Sequence, residues 1–176
     1  MTSRVIEFYC HGGSDASGRT ARDMIAMSDH ELEMHHDIIQ WMFPLHETSM
    51  VNPGAPLIEK DSAHVLRENI DAQLLMREMI VRFARFMGFE LNEEGQFVAE
   101  PLLAANRKNW HTQLNHNHLR VTRVIRSLRL FGFDQLASAF FQAVAASALD
   151  AQCIDNRTLA FWNMALEDEV FDSLRK

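Results

Sequence analysis

The residues best suited to chemistry in this sequence lie in one short segment that contains Glu33, His36 and Asp37. Glu33 and His36 have the Glu-x-x-His spacing that supplies metal ligands in helical di-iron carboxylate proteins. Such a site needs a second pair of this kind, and the sequence contains no second Glu-x-x-His. The pattern therefore favours a structural His36, half-buried and hydrogen-bonded against a neighbouring helix, over a catalytic or metal-binding one.

A second polar feature is a basic stretch over residues 101–133, which contains no acidic residue. Arg120, Arg123 and Arg126 recur every three residues in it, so on a helix they form a slanted ridge. Internal ion pairs with the acid-rich remainder of the chain are the first interpretation of this ridge. The alternative is an anion site in which Arg120 and Arg123 bind a carboxylate and Asn117, near the helix N-terminus, adds donors.

Other catalytic and metal-binding patterns are missing from the sequence. His111, His116 and His118 do not have the i, i+4 spacing of a helical zinc pair, and neither cysteine belongs to a CxxC motif. There is no phosphate-binding loop, nucleophile elbow or dinucleotide fingerprint. We therefore predict a protein that is not an enzyme and uses no metal or cofactor.

The composition indicates the class of protein, the partners it disfavours and the cellular compartment. The chain of 176 residues is 47% hydrophobic and 23% charged, as in soluble globular proteins, and its net charge of −7 argues against nucleic acid as a partner. No apolar run is long enough for a signal peptide or a transmembrane helix. Two cysteines fit a reducing compartment, so we predict a cytoplasmic location.

The segment that carries the Glu-x-x-His pair is predicted to be one helix over residues 29–42. Ser28 and Glu31 form a capping box at its start, and Pro44 ends it. His36 would then share the buried face of this helix with its apolar residues. Trp41 on this helix is predicted to lie in the core, and the alternative is that it floors a pocket under the 44–56 loop.

The remaining elements are also predicted to be mainly helical. A short extended run is expected at 5–10, and the turn Asn92-Glu93-Glu94-Gly95 predicts a small hairpin at 91–98. In the long helix predicted at 61–88, Ile70 and Leu74 are expected to face the core. The prediction is an all-α fold, one compact domain over residues 1–176 with about six to seven helices. The other helices are predicted at 20–26, 102–110, 117–131, 134–149 and 155–170.

Four blocks of sequence resemble the conserved N-terminal domain of the opioid growth factor receptor. They keep their order over about residues 4–170, although Ile38 stands where that family usually has an aromatic residue. The blocks are Leu32-Glu33 with residues 36–45, Val51-Asn52 with 55–57, Asn109-Trp110 with 116–128, and 147–150. The chain looks like the domain alone, as in bacterial relatives.

This resemblance implies a receptor-like module that binds a ligand and does not catalyse a reaction. The family name implies an enkephalin peptide and growth regulation, and family members can be membrane-associated. We predict a peptide or a small anionic ligand, with His36, Asp37, Gln40, Trp41, Asn117, Arg120 and Arg123 as candidate ligand-binding residues. The alternative is an enzyme or metal-binding protein whose His/Asp/Arg site lies between two helices.

Overall fold

The computed structural model describes residues 3–167 of the chain. Within this part, 62% of the residues are helical, and ten helices accompany one two-stranded antiparallel sheet. The all-α prediction is therefore approximately right, and the small hairpin is confirmed. None of the described helices is both long and apolar enough to cross a membrane.

The helices and strands follow one another in this order. Helices α1 to α4 span Arg4–Cys10, Ala21–Ala26, Asp29–Met34 and Ile39–Met42, and α5 and α6 span Lys60–Glu68 and Ile70–Met87. Strands β1 (Phe89–Leu91) and β2 (Phe97–Ala99) form the hairpin, and a 3₁₀ helix at Pro101–Asn109 follows it. Helices α7, α8 and α9 span His116–Leu130, Asp134–Asp150 and Asn156–Glu167. The end of the last predicted helix, including Val170, lies outside the described residues.

Three differences raise the number of helices from the six or seven predicted to ten. The run predicted to be extended is helix α1, because Val5, Phe8 and Tyr9 are all buried and share one helical face. The Tyr9 hydroxyl also donates to the carbonyl of Met42 at 2.5 Å, which ties α1 to the end of α4. The other two differences are interruptions of helices that were predicted to be continuous.

The helix predicted at 29–42 is interrupted between α3 and α4. Its capping box is confirmed, since Ser28 and Glu31 satisfy each other's backbone donors, but the backbone is extended at His35, with φ −90° and ψ 98°. The interruption changes the direction of the following side chain. His36 is therefore exposed, and the prediction of a half-buried His36 on the apolar face is wrong.

The helix predicted at 61–88 is interrupted at Asn69, which ends α5 and caps α6. The Asn69 side chain accepts a hydrogen bond from the backbone of Ala72 at 2.9 Å. The interruption also shifts the helical phase, so Ile70 and Leu74 are 68% and 52% exposed rather than buried. The end of α6 agrees with the prediction, because Gly88 adopts the left-handed conformation with φ +95°.

Helix α7 is the element that positions most of the polar residues described below. It packs against α8 and α9, and its buried side includes the apolar residues Val121, Val124, Ile125 and Leu128. Asn117, Arg120 and Ser127 are also buried, which is unusual for polar side chains. Each of them must therefore have a hydrogen-bond partner inside the protein. We call residues 28–45, which supply most of these partners, the signature segment.

Candidate functional site

Arg120 joins α7 to the interrupted end of α3. Its guanidinium donates to the carbonyls of Leu32 at 3.0 Å and His35 at 3.5 Å, and to the side-chain oxygen of Asn117 at 3.1 Å. The last carbonyls of a helix have no partner within the helix and carry its negative dipole, so a cation fits there. Burial lowers the pKa of Arg120, and the carboxylate of Glu33, 3.9 Å away, opposes that change.

Two further residues of α7 bind carbonyls at the other end of the signature segment. Arg123 donates to the carbonyl of Phe43 at 3.2 Å, and the Ser127 hydroxyl donates to the carbonyl of Pro44 at 2.9 Å. The ridge therefore consists only in part of internal ion pairs. Arg126 pairs with Glu47 and Arg120 lies 3.9 Å from the Glu33 carboxylate, whereas Arg123 donates to a backbone oxygen and has no carboxylate within salt-bridge distance among the described residues.

The Glu33–His36 pairing, which the sequence analysis considered and disfavoured, does not form. The Glu33 carboxylate instead accepts a hydrogen bond from Asn117 at 3.1 Å and lies 3.1 Å from Nε2 of His116. The His36 ring stacks at a tilt on the His116 ring, with 5.0 Å between their centroids. Burial lowers the pKa of His116, and Glu33 opposes this change. Within residues 3–167, no three histidine, cysteine or carboxylate side chains are grouped so that they could hold a metal ion.

Asp37 belongs to a different network from the other candidates. It pairs with Arg19, which also binds Asp15 through a contact of 2.5 Å. Burial would raise the pKa of Asp37, but the hydrogen bond and charge of Arg19 outweigh it, and the pKa is lowered. Asp37 therefore fastens the signature segment to the chain before α2 and takes no part in the groove described below.

Gln40 and Trp41 are both buried, but only Gln40 reaches the groove. The side-chain nitrogen of Gln40, in the amide orientation that satisfies its hydrogen bonds, donates to the carbonyls of His36 at 3.1 Å and Asp37 at 2.8 Å. Trp41 packs on Phe8, with 5.1 Å between ring centroids. Trp41 is therefore a core residue, as the first interpretation had it, and it does not line the groove described below.

A groove of about 1100 Å³ runs along the exposed side of α7, between residues 36–51 and the start of α9. We call it the α7 groove. Of the seven candidate residues, His36, Gln40, Arg120 and Arg123 line it, and Asp37, Trp41 and Asn117 do not. The structure thus brings four of the candidates together around one open surface.

The lining of the α7 groove is basic and apolar at once. Among the described residues, its charged side chains are four arginines and one carboxylate, Asp155, in a chain whose net charge is −7. That carboxylate is already engaged, because it accepts the backbone N–H of Thr158 at 2.7 Å and caps α9. The groove arginines are Arg120, Arg123, Arg126 and Arg157. The groove therefore favours an anion.

Several apolar side chains that the sequence analysis did not single out also line the groove. Leu119 is 76% exposed and Phe161 47%, and Val51 and Leu114 are exposed as well. A signal for Leu119 was present, since it lies four residues before Arg123 and so places an apolar group on the basic face of α7. Phe161 has the same kind of signal, because it lies four residues after Arg157, whose guanidinium is 5.6 Å from the centre of its ring.

Arg123 is a largely buried cation of the groove that has no carboxylate partner among the described residues. Burial and the neighbouring Arg126 lower the pKa of Arg123 to about 10, so the guanidinium stays charged at neutral pH. Among the described residues, no carboxylate lies within salt-bridge distance of it. Its single hydrogen bond in this part of the chain, to Phe43, uses one of five donors. A ligand carboxylate in the groove could use the others.

The sequence is similar to that of one known family over most of its length. The opioid growth factor receptor (OGFr) conserved region matches residues 21–170. Opioid growth factor receptor-like protein 1 of Rattus norvegicus is 30% identical over 128 residues, which cover 72% of this chain and 27% of that protein. The opioid growth factor receptor of Rattus norvegicus is 33% identical over 110 residues, covering 58% and 18%. The chain spans about a quarter of the first relative's length, and no solved structure matches it.

Proposed function

Because the chain belongs to the family of the opioid growth factor receptor conserved region, we propose that it is a non-catalytic module that binds a short peptide in the α7 groove. The ligand carboxylate binds Arg123, and apolar side chains of the peptide lie on Leu119 and Phe161. The relatives are named receptors or receptor-like proteins, which supports binding over catalysis. We also propose that residues 1–176 form a single domain of this family.

The observation that carries this proposal is the charge of Arg123, which no carboxylate among the described residues compensates. A mostly buried guanidinium loses much of its hydration, and its charge is usually compensated by a carboxylate. Arg123 has only the Phe43 carbonyl as its hydrogen-bond partner within the described residues, and it lines an open groove. An incoming carboxylate would supply the missing charge through the fork geometry that arginine favours.

The size and lining of the groove support a peptide rather than a small inorganic anion. Sites for small molecules usually have volumes of about 300–1,000 Å³, and the α7 groove, at about 1100 Å³, is slightly larger than that range. Exposed leucine and phenylalanine side chains gain little from a phosphate or sulfate ion, but they gain from burial against a peptide side chain. The free thiols of Cys10 and Cys153 support a cytoplasmic setting within the same proposal.

Isothermal titration calorimetry tests the proposal with an enkephalin peptide that has a free C-terminal carboxylate and with the same peptide as a C-terminal amide. We expect the free acid to bind more tightly than the amide. Arg123→Gln should weaken binding of the acid by about tenfold, because a charge-assisted hydrogen bond contributes roughly 1.5–3 kcal/mol before screening by solvent. The amide should bind this variant and the wild type equally well.

Asp37→Asn is the matched control, because Asp37 is near the groove in sequence but pairs with Arg19 outside it. We expect this variant to bind the free acid as the wild type does. Thermal melting of Arg123→Gln checks that the fold is intact, and glutamine retains a donor for the Phe43 carbonyl. The proposal is wrong if the free acid does not bind, or if Arg123→Gln binds it as tightly as the wild type.

A further inference from the structure

Arg123 and Arg126 differ in how their charges are compensated, although they lie one turn apart on α7. Arg126 donates to both carboxylate oxygens of Glu47, through Nη1 at 3.3 Å and through Nη2 at a shorter distance. Arg123 has no such partner among the described residues. One of these two groove cations is therefore neutralised from within the chain, and the other is not.

Glu47 is placed so that it compensates Arg126 without entering the groove. It belongs to the loop after α4, its side chain is 53% exposed, and it does not line the groove, whereas Arg126 does. The hydrogen bond from Arg126 lowers the pKa of Glu47, so the carboxylate is charged at neutral pH. Its charge also reaches Arg123, for which it opposes the effect of burial on the pKa.

Three other described groups near this point can carry a charge. His46, on the same loop, lies 3.5 Å from the Glu47 carboxylate, and Arg157 and Asp155 line the groove from the side of α9. Arg126 is already paired with Glu47, whereas Arg123 presents to a ligand a positive charge that has no carboxylate partner among the described residues. A second negative charge on the ligand would lie beside Arg126 and would meet the repulsion of Glu47 there.

We propose that Glu47 determines the specificity of the α7 groove and makes it select ligands that bring one negative charge to the Arg123–Arg126 turn over ligands that bring two. This inference rests on the proposed function, since it concerns the same groove and the same ligand class. Glu47 acts through Arg126 and need not touch the ligand. Removing its charge should remove the repulsion that a second ligand carboxylate meets beside Arg126.

The test compares two probe peptides on the wild type and on Glu47→Gln. The first probe is the enkephalin peptide with a free C-terminal carboxylate, and the second is the same peptide extended by one C-terminal aspartate, which carries two carboxylates. We expect Glu47→Gln to raise the affinity for the dicarboxylate, relative to the monocarboxylate, by about tenfold, because the second carboxylate no longer meets the charge of Glu47 beside Arg126. The effect should shrink in high salt, because the pair is partly exposed.

Glu90→Gln is a charge-matched control. Glu90 forms a similar exposed ion pair with Arg85, and neither residue lines the groove. This variant changes the net charge as Glu47→Gln does, so the affinity ratio should stay at the wild-type value if the effect is local. Thermal melting of both variants checks that the fold is intact, and Glu47→Gln should lower the Tm more than Glu90→Gln, because the Arg126 side chain is only 17% exposed and that of Arg85 is 49% exposed.

The possible results separate this inference from the proposed function. If the wild type binds the monocarboxylate but Glu47→Gln leaves the affinity ratio unchanged, the role assigned to Glu47 is wrong and the groove remains a peptide site. An equal rise of the ratio in Glu47→Gln and Glu90→Gln also overturns it, since net charge alone would explain the result. If neither probe binds any variant, both proposals fail.

Discussion

Replacing Arg120 with alanine should destabilise the fold more than any ligand-related change in the groove. The Arg120 guanidinium is only 7% exposed, and it holds the carbonyl of Leu32 at 3.0 Å and the side-chain oxygen of Asn117 at 3.1 Å. Alanine removes both hydrogen bonds and leaves a buried backbone carbonyl at the end of α3 without a partner. The signature segment would lose its attachment to α7 at this point.

The expected loss follows from these contacts. Two hydrogen bonds from a charged donor contribute roughly 1.5–3 kcal/mol each. About 2 kcal/mol of side-chain entropy that the ordered arginine gives up is regained by the variant. The relief from desolvating the buried cation is offset by the cost of the buried Leu32 carbonyl left without a partner, roughly 1–3 kcal/mol, so we expect a net loss of about 3 kcal/mol in the free energy of unfolding. For a chain of this length, that corresponds to a Tm lower by about 6–12 °C.

Urea unfolding followed by tryptophan fluorescence measures this loss, because Trp41, Trp110 and Trp162 are all buried. Arg120→Met separates the hydrogen bonds from the packing, since methionine fills much of the space of the arginine stem but donates nothing. We expect it to lose about 2 kcal/mol. Arg22→Ala is the control, because the exposed Arg22–Glu78 pair should contribute less than about 1 kcal/mol. An Arg120→Met variant as stable as the wild type would refute the reasoning.

Two further predictions concern pH and backbone conformation. Burial lowers the pKa of His118 from 6.5, so the folded state resists protonation, and the Tm should fall as pH decreases below about 6.5. His118→Gln, which keeps a donor for the Trp110 carbonyl, should make that fall smaller in melts between about pH 7.5 and 5.5. Gly88→Ala should lower stability by about 2 kcal/mol in urea unfolding, because its left-handed φ disfavours a Cβ and that atom would lie 2.8 Å from Arg107. Gly95→Ala, with a similar φ but open space, should lose only about 1 kcal/mol.

The features that sequence predicted well are those with local causes. The capping box of Ser28 and Glu31 uses residues three apart, and the stop at Gly88 needs only a residue that tolerates a positive φ. The hairpin turn around Gly95 likewise depends on its own residues, with φ +78°. Such signals do not require knowledge of distant contacts, so a single sequence contains them in full.

The two helix interruptions could not be predicted in the same way. At His35 the carbonyls left unpaired by the interruption are bound by Arg120, which lies 85 residues later in the chain. At Asn69 the interruption is supported by Gln73, which donates to the carbonyls of Leu66 and Phe131. The non-helical backbone is hydrogen-bonded by a distant arginine at His35 and by the nearby side chains of Asn69 and Gln73 at the second interruption, whereas periodicity alone favoured continuous helices.

The candidate site was predicted only in part, and there is a physical reason why some candidates line the groove and others do not. Arg120 and Arg123 were found because their spacing marks one side of a helix. Asp37 and Asn117 were chosen as nearby polar residues, but neither lines the groove. Asp37 pairs with Arg19 and Asn117 donates to Glu33, and these partners also lie outside the groove lining. Which polar residues face solvent and which face one another depends on the packing of α3 and α7, and that packing is not a local property.

The contacts between α7 and the signature segment also explain why family resemblance and ligand preference need not coincide. The two sequence blocks that best identify the family meet where Arg120, Arg123 and Ser127 bind backbone carbonyls of the signature segment. These contacts hold the fold together, and a carbonyl gives no information about a ligand. Glu47 and Phe161, by contrast, lie outside those blocks and border or line the groove. Changes at such positions can therefore alter what the groove binds while the framework that identifies the family stays the same.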